Sequence, residues 1–70
     1  MLPITFNYQG ETVTGNFKQI GGAGGKCWYL FVDGFYRGKV TYTDRLRYDG
    51  NKYEDVGEML CDFIKEKVIL

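Results

Sequence analysis

Cys27-Trp28-Tyr29-Leu30-Phe31-Val32-Asp33-Gly34-Phe35-Tyr36-Arg37-Gly38-Lys39-Val40-Thr41-Tyr42 is the stretch that decides the fold. Asp-Gly accepts positive φ at both centres of a two-residue hairpin turn, and aromatic and β-branched runs flank it on either side. Such a turn pairs Val32 with Phe35, Phe31 with Tyr36, Tyr29 with Gly38 and Cys27 with Val40. One face then holds Cys27, Tyr29, Phe31, Tyr36, Gly38, Val40 and Tyr42. The other holds Trp28, Leu30, Val32 and Phe35 beside Arg37 and Lys39. Both faces are apolar, and a lone helix covers only one side of a sheet. The uncovered side needs the stems of Arg37 and Lys39, a loop or another molecule.

The segment before it reads as a second, one-sided hairpin. Ile4, Phe6 and Tyr8 alternate with Thr5 and Asn7, the period of a half-buried strand. A turn at Gln9-Gly10 sets Tyr8 opposite Glu11, Phe6 opposite Val13 and Ile4 opposite Gly15. Ile4, Phe6, Tyr8, Val13, Gly15 and Phe17 then share one face, and Thr5, Asn7, Thr12, Thr14 and Asn16 share the other. Between the hairpins, Gly21-Gly22-Ala23-Gly24-Gly25 reads as a flexible connection. It is not a phosphate loop: Ile20 stands where the first glycine is needed, Cys27 replaces the hydroxyl residue, and a strand follows.

Beyond the second hairpin, Arg45-Leu46-Arg47-Tyr48 alternates as a short fifth strand over 45–48. Asn51 with Glu54 has the spacing of a capping box, which starts a helix at Lys52. Tyr53, Val56, Leu60, Phe63 and Ile64 form its apolar stripe with Met59 at the border. Glu54 and Asp55 in the first turn and Lys65 and Lys67 in the last suit the helix dipole. Gly57 opposes the helix by about 1 kcal/mol relative to alanine. Val68-Ile69-Leu70 completes the chain as an apolar tail. The expected architecture is α+β: an antiparallel sheet of two hairpins with that fifth strand, one C-terminal helix on one face, and one domain spanning 1–70.

Seventy residues and 8.1 kDa leave little to spare. Apolar burial on folding contributes on the order of 110 kcal/mol for a chain this size. Ordering it costs on the order of 105 kcal/mol, so nearly every apolar side chain is needed for the core. No apolar run approaches a membrane span, and no charged-then-apolar leader opens the chain, so no membrane partner and a cytoplasmic location are expected. Cys27 and Cys61 read as two reduced thiols, too few for a disulfide scaffold or a zinc site. Histidine and serine are both absent. Their absence removes the Ser-His-Asp and Cys-His arrangements, and no cofactor, metal or catalytic set is legible. We expect a non-enzyme.

Two binding readings remain. In the first, the chain is a protein–protein interaction domain that pairs with a partner or with a second copy. Its interaction residues are Trp28, Leu30, Val32 and Phe35, taken as the apolar face that the helix leaves uncovered. In the second, it binds nucleic acid through Arg37, Lys39, Arg45 and Arg47, cations interleaved with Tyr36, Tyr42, Tyr48 and Tyr53. The formal charge of zero counts against that reading, because phosphate contacts need cations. Glu54, Glu58, Asp62 and Glu66 recur every fourth position as a solvated helix face, or as an acidic stripe for a basic partner.

Overall fold

The structure is a computed structural model that describes residues 1–21 and 26–69. The expected glycine connection falls largely on 22–25 and the last residue of the apolar tail on 70, outside the described residues. Five strands, β1 (Leu2–Tyr8), β2 (Glu11–Ile20), β3 (Cys27–Val32), β4 (Phe35–Tyr42) and β5 (Leu46–Gly50), form one antiparallel sheet in sequence order. Both hairpin turns have positive φ at their two central residues, 51° and 82° at Gln9-Gly10 and 54° and 81° at Asp33-Gly34. These mirror-image turns match the twist of the strands they join. The first hairpin has the expected register, Ile4 against Gly15 and Phe6 against Val13.

The C-terminal element packs on the inner face and is helical from Glu54. A 3-10 turn at Glu54–Val56 leads into α1 (Gly57–Ile64), followed by a π-helical segment at Lys65–Ile69. Asn51 does not cap it. Tyr53 occupies the capping position with φ 68° and makes no side-chain cap hydrogen bond. Its ring instead enters the core, edge-on to Phe6 at 5.3 Å and to Tyr8 at 4.8 Å between centroids. Burying an aromatic ring outweighs the roughly 1 kcal/mol of a cap.

Two register features decide which side chains reach that core. Ile20 pairs with Cys27 and Phe17 with Leu30, so odd positions of β2 face the same way as even positions of β3. A β-bulge in the second hairpin then sets Phe31 against Tyr36 but Leu30 against Gly38, leaving Arg37 as the extra residue. The expected pairs of Tyr29 with Gly38 and Cys27 with Val40 are displaced by one: Tyr29 meets Lys39, and Trp28 meets Val40. The extra residue turns Val40 inward, where it is fully buried beside Trp28, Leu30 and Val32. Ile4, Phe6, Phe17, Tyr53, Leu60 and Ile64 complete the buried set, and Phe63 stacks on Phe17.

Tyr48 ties β4, β5 and α1 together. Its hydroxyl donates to the Lys52 carbonyl at 2.7 Å and lies 3.3 Å from the Arg37 carbonyl. The Asn51 N–H also donates to that carbonyl, which satisfies the bulge. A Cβ at Gly38 would overlap the Tyr48 ring, and one at Gly57 would come within 3.1 Å of Tyr48 Cβ. Gly57, a liability when read as a helix residue, is what lets α1 approach the sheet.

Candidate functional site

The face of the sheet turned away from α1 divides into two halves. β1 and β2 present Thr5, Asn7, Thr12, Thr14 and Asn16 there. On β3 and β4 the same face carries Tyr29, Phe31 and Tyr36 in mutual contact. Tyr29 and Tyr36 lie 5.1 Å apart between centroids and Phe31 and Tyr36 6.2 Å, both edge-to-face, while Tyr29 and Phe31 are 6.4 Å apart. Such geometries are favourable for aromatic pairs. Tyr29 and Phe31 are half-buried by their neighbours, Tyr36 is 39% exposed, and among the described residues no element covers the cluster.

Cations flank the rings on both sides. Lys18 on β2 and Lys39 on β4 are the cross-strand neighbours of Tyr29. Arg47 lies opposite Thr41 on the same face, and Asp49, opposite Lys39, is the acid there. With Asp33 at the hairpin tip also bordering this face, three cations less two acids leave it at +1. The acids Glu54, Asp55, Glu58, Asp62 and Glu66 belong to the helical segment on the other side of the sheet. Next to Phe31 a cleft of about 560 Å³ opens, lined by Thr14, Asn16, Lys18, Phe31 and Asp33 among others.

The four apolar interaction candidates therefore part company. Trp28, Leu30 and Val32 are 4%, 0% and 5% exposed and belong to the core, so the helix covers the face expected to stay open. Phe35 remains outside, 64% exposed at the hairpin tip with the Arg37 guanidinium 5.5 Å from its ring. The four basic candidates also separate. Lys39 and Arg47 reach the outer face. Arg37 lines a polar cleft with Thr12, Lys52 and Tyr53, and its Nε is buried without a hydrogen-bond partner. Arg45 borders a cleft with Glu58 and Asp62.

The chain matches no protein-family model, no curated protein and no solved structure.

Tyr29, Phe31, Tyr36 and Lys18 escape a reading of each hairpin by itself. The faces of the two hairpins are linked only through the β2–β3 register, which the intervening residues 21–26 leave open. The signal that could have located the bulge is Val40: an aliphatic residue between Lys39 and Thr41 should face inward with Leu30, which requires one extra residue in β4.

The remaining reactive groups of the described residues lie on separate elements. Cys27 and Cys61 are both free, Cys27 on the outer face of β3 and Cys61 on α1. Burial, with smaller contributions from Asp62 and Glu58, pushes the Cys61 thiol up. Burial also raises the Tyr48 hydroxyl well above the ordinary phenol range, with smaller contributions from the negative forms of Tyr36 and Tyr53 and from Glu54 and Asp49. Among the described residues, no three His, Cys, Asp or Glu side chains come together to hold a metal. No described helix is long and apolar enough to cross a membrane.

Proposed function

We propose that this chain is a non-enzymatic interaction domain that docks a macromolecular partner on the outer face of β3 and β4. The observation that carries this reading is the cluster of Tyr29, Phe31 and Tyr36 outside the core. In a chain whose folding terms nearly cancel, apolar rings left on an open sheet forgo burial that the core could have used. Tyrosine and phenylalanine are enriched at interface centres, where rigid rings supply contact area at little entropic cost.

The absence of histidine and serine supports a binding role over catalysis. The two free thiols fit a reducing compartment such as the cytoplasm.

Site-specific photo-crosslinking tests the docking face whatever its partner is. A photoreactive phenylalanine analogue replaces Tyr36 in one variant and Thr5, on the polar half of the same face, in another. Irradiation in cells should give discrete adducts from position 36 and none from position 5. Equal adduct patterns from both positions, or none from position 36, would remove the proposal.

A further inference from the structure

We infer that the occupant of the outer face is a single-stranded nucleic acid, with bases stacked on Tyr29, Phe31 and Tyr36 and phosphates held by Lys18 and Lys39. This inference rests on the docking reading above and names its partner. It starts from the arrangement of charge and rings. Tyr29 lies between Lys18 and Lys39 on neighbouring strands, so a chain that lays a planar group on this ring passes a cation on either side. That alternation of stacking platform and positive charge suits a polyanion whose repeating unit carries one flat apolar group and one phosphate. A duplex hides its base faces, whereas a single strand offers them to exposed aromatic rings.

The formal charge of zero does not oppose this, because the fold separates the charges. The outer face, at +1, and the helix acids lie on opposite sides of the sheet. Packed layers stand about 10 Å apart, beyond the Debye length of roughly 8 Å at physiological salt. A strand on the outer face therefore meets Lys18, Lys39 and Arg47 with little repulsion from Glu54, Glu58 or Asp62.

The same charges argue against a second copy of the chain. Two-fold packing of this face on itself would set one net-positive surface against another, which disfavours association. The cleft beside Phe31 adds a polar wall to the stacking surface. The Thr14 hydroxyl, the Asn16 amide and the Asp33 carboxylate border it, side chains able to hydrogen-bond the edge of a base, with Lys18 at its rim.

Fluorescence anisotropy of labelled 12-nucleotide single strands, one DNA and one RNA of mixed sequence, tests this with the full chain across 25–300 mM KCl. A duplex of the same length is the comparison. Single strands should bind at low salt and more tightly than the duplex, and the relative affinity for DNA and RNA shows which backbone is preferred. Affinity should fall with salt at a log–log slope of about −0.7 for each phosphate engaged. Tyr29→Ala and Tyr36→Ala should each weaken binding about tenfold, the scale of one base–aromatic stack. Tyr29→Phe and Tyr36→Phe keep the ring and should bind like wild type, which separates stacking from loss of fold. Lys18→Gln with Lys39→Gln should flatten the salt slope, while Lys65→Gln with Lys67→Gln on the helical segment should leave binding unchanged.

Absence of binding at 25 mM KCl would overturn the inference, as would binding indifferent to both alanine variants. Protein adducts alone from position 36 would preserve the docking face and remove nucleic acid as its occupant. A mass that doubles with concentration, lost in Tyr36→Ala, would install a second copy instead. Failure at both the crosslinking and the anisotropy stage removes the docking face itself.

Discussion

Gly38→Ala should destabilise this protein far more than a single methyl on a strand would suggest. A Cβ at position 38 overlaps Tyr48 Oη and lies 2.5 Å from Cζ and 2.9 Å from Cε1. The ring has little room to withdraw. Gly57 of α1 lies against its Cβ and Cδ2, and its hydroxyl is engaged with the Lys52 carbonyl at 2.7 Å. Overpacking of this kind costs about 1–3 kcal/mol, and losing the hydrogen bond adds about 1 kcal/mol, so roughly 2–4 kcal/mol is expected in all. Urea unfolding followed through the buried Trp28 reports it. At about 1 kcal/mol per molar urea the midpoint should fall by roughly 2–4 M, or vanish if wild-type stability is no larger. The decisive comparison is a double-mutant cycle with Tyr48→Ala. Tyr48→Ala alone should cost about 2 kcal/mol, about half the cost of deleting a fully buried ring. In that background Gly38→Ala should be neutral or stabilising by up to about 1 kcal/mol, since the obstruction is gone and alanine has fewer unfolded conformations. Additive losses, with Gly38→Ala costing the same in both backgrounds, would refute the idea that Tyr48 occupies the space a side chain at 38 needs.

Three further outcomes are expected. Leu30→Ala should cost about 2–5 kcal/mol while Phe35→Ser stays within about 0.5 kcal/mol, although strand alternation alone puts both on one face; similar losses in thermal unfolding would contradict the face assignment. Tyr48 ionises near pH 10 when unfolded, but only at higher pH when folded. Its contribution to stability is therefore fully present below pH 10 and lost as pH rises through the folded value. Tyr48→Phe should flatten that alkaline decline, and identical pH profiles would count against the buried hydroxyl. In a Cys27→Ala background, Cys61 should react with iodoacetamide at pH 8 several-fold more slowly than an unfolded control and recover as pH rises, with Asp62→Asn speeding it; a rate equal to the control would show that the thiol is not held protonated.

The local signals in this chain carry the fold a long way. Asp33-Gly34 and Gln9-Gly10 place both turns, alternation from Ile4 to Phe17 sets the first register, and Leu46 with Tyr48 marks the fifth strand. The helical stripe of Leu60 and Ile64 finds its place in the core. Its start shifts because Tyr53 is anchored by Phe6 and Tyr8, residues more than forty positions away that no capping pattern reveals.

The face proposed to meet a partner is another matter. Periods of two and of three to four residues are local properties, so they are written in the order of side chains and establish strands, turns and a helix by themselves. Which face of β3 turns outward depends on where β2 meets it across the 21–26 connection, and on the extra residue at Arg37 that reverses the alternation along β4. A single step of register exchanges every inside residue for an outside one. The core selects Trp28, Leu30, Val32 and Val40 together, because only that register buries all four under one helix. Tyr29, Phe31 and Tyr36 come together on the opposite face by the same register.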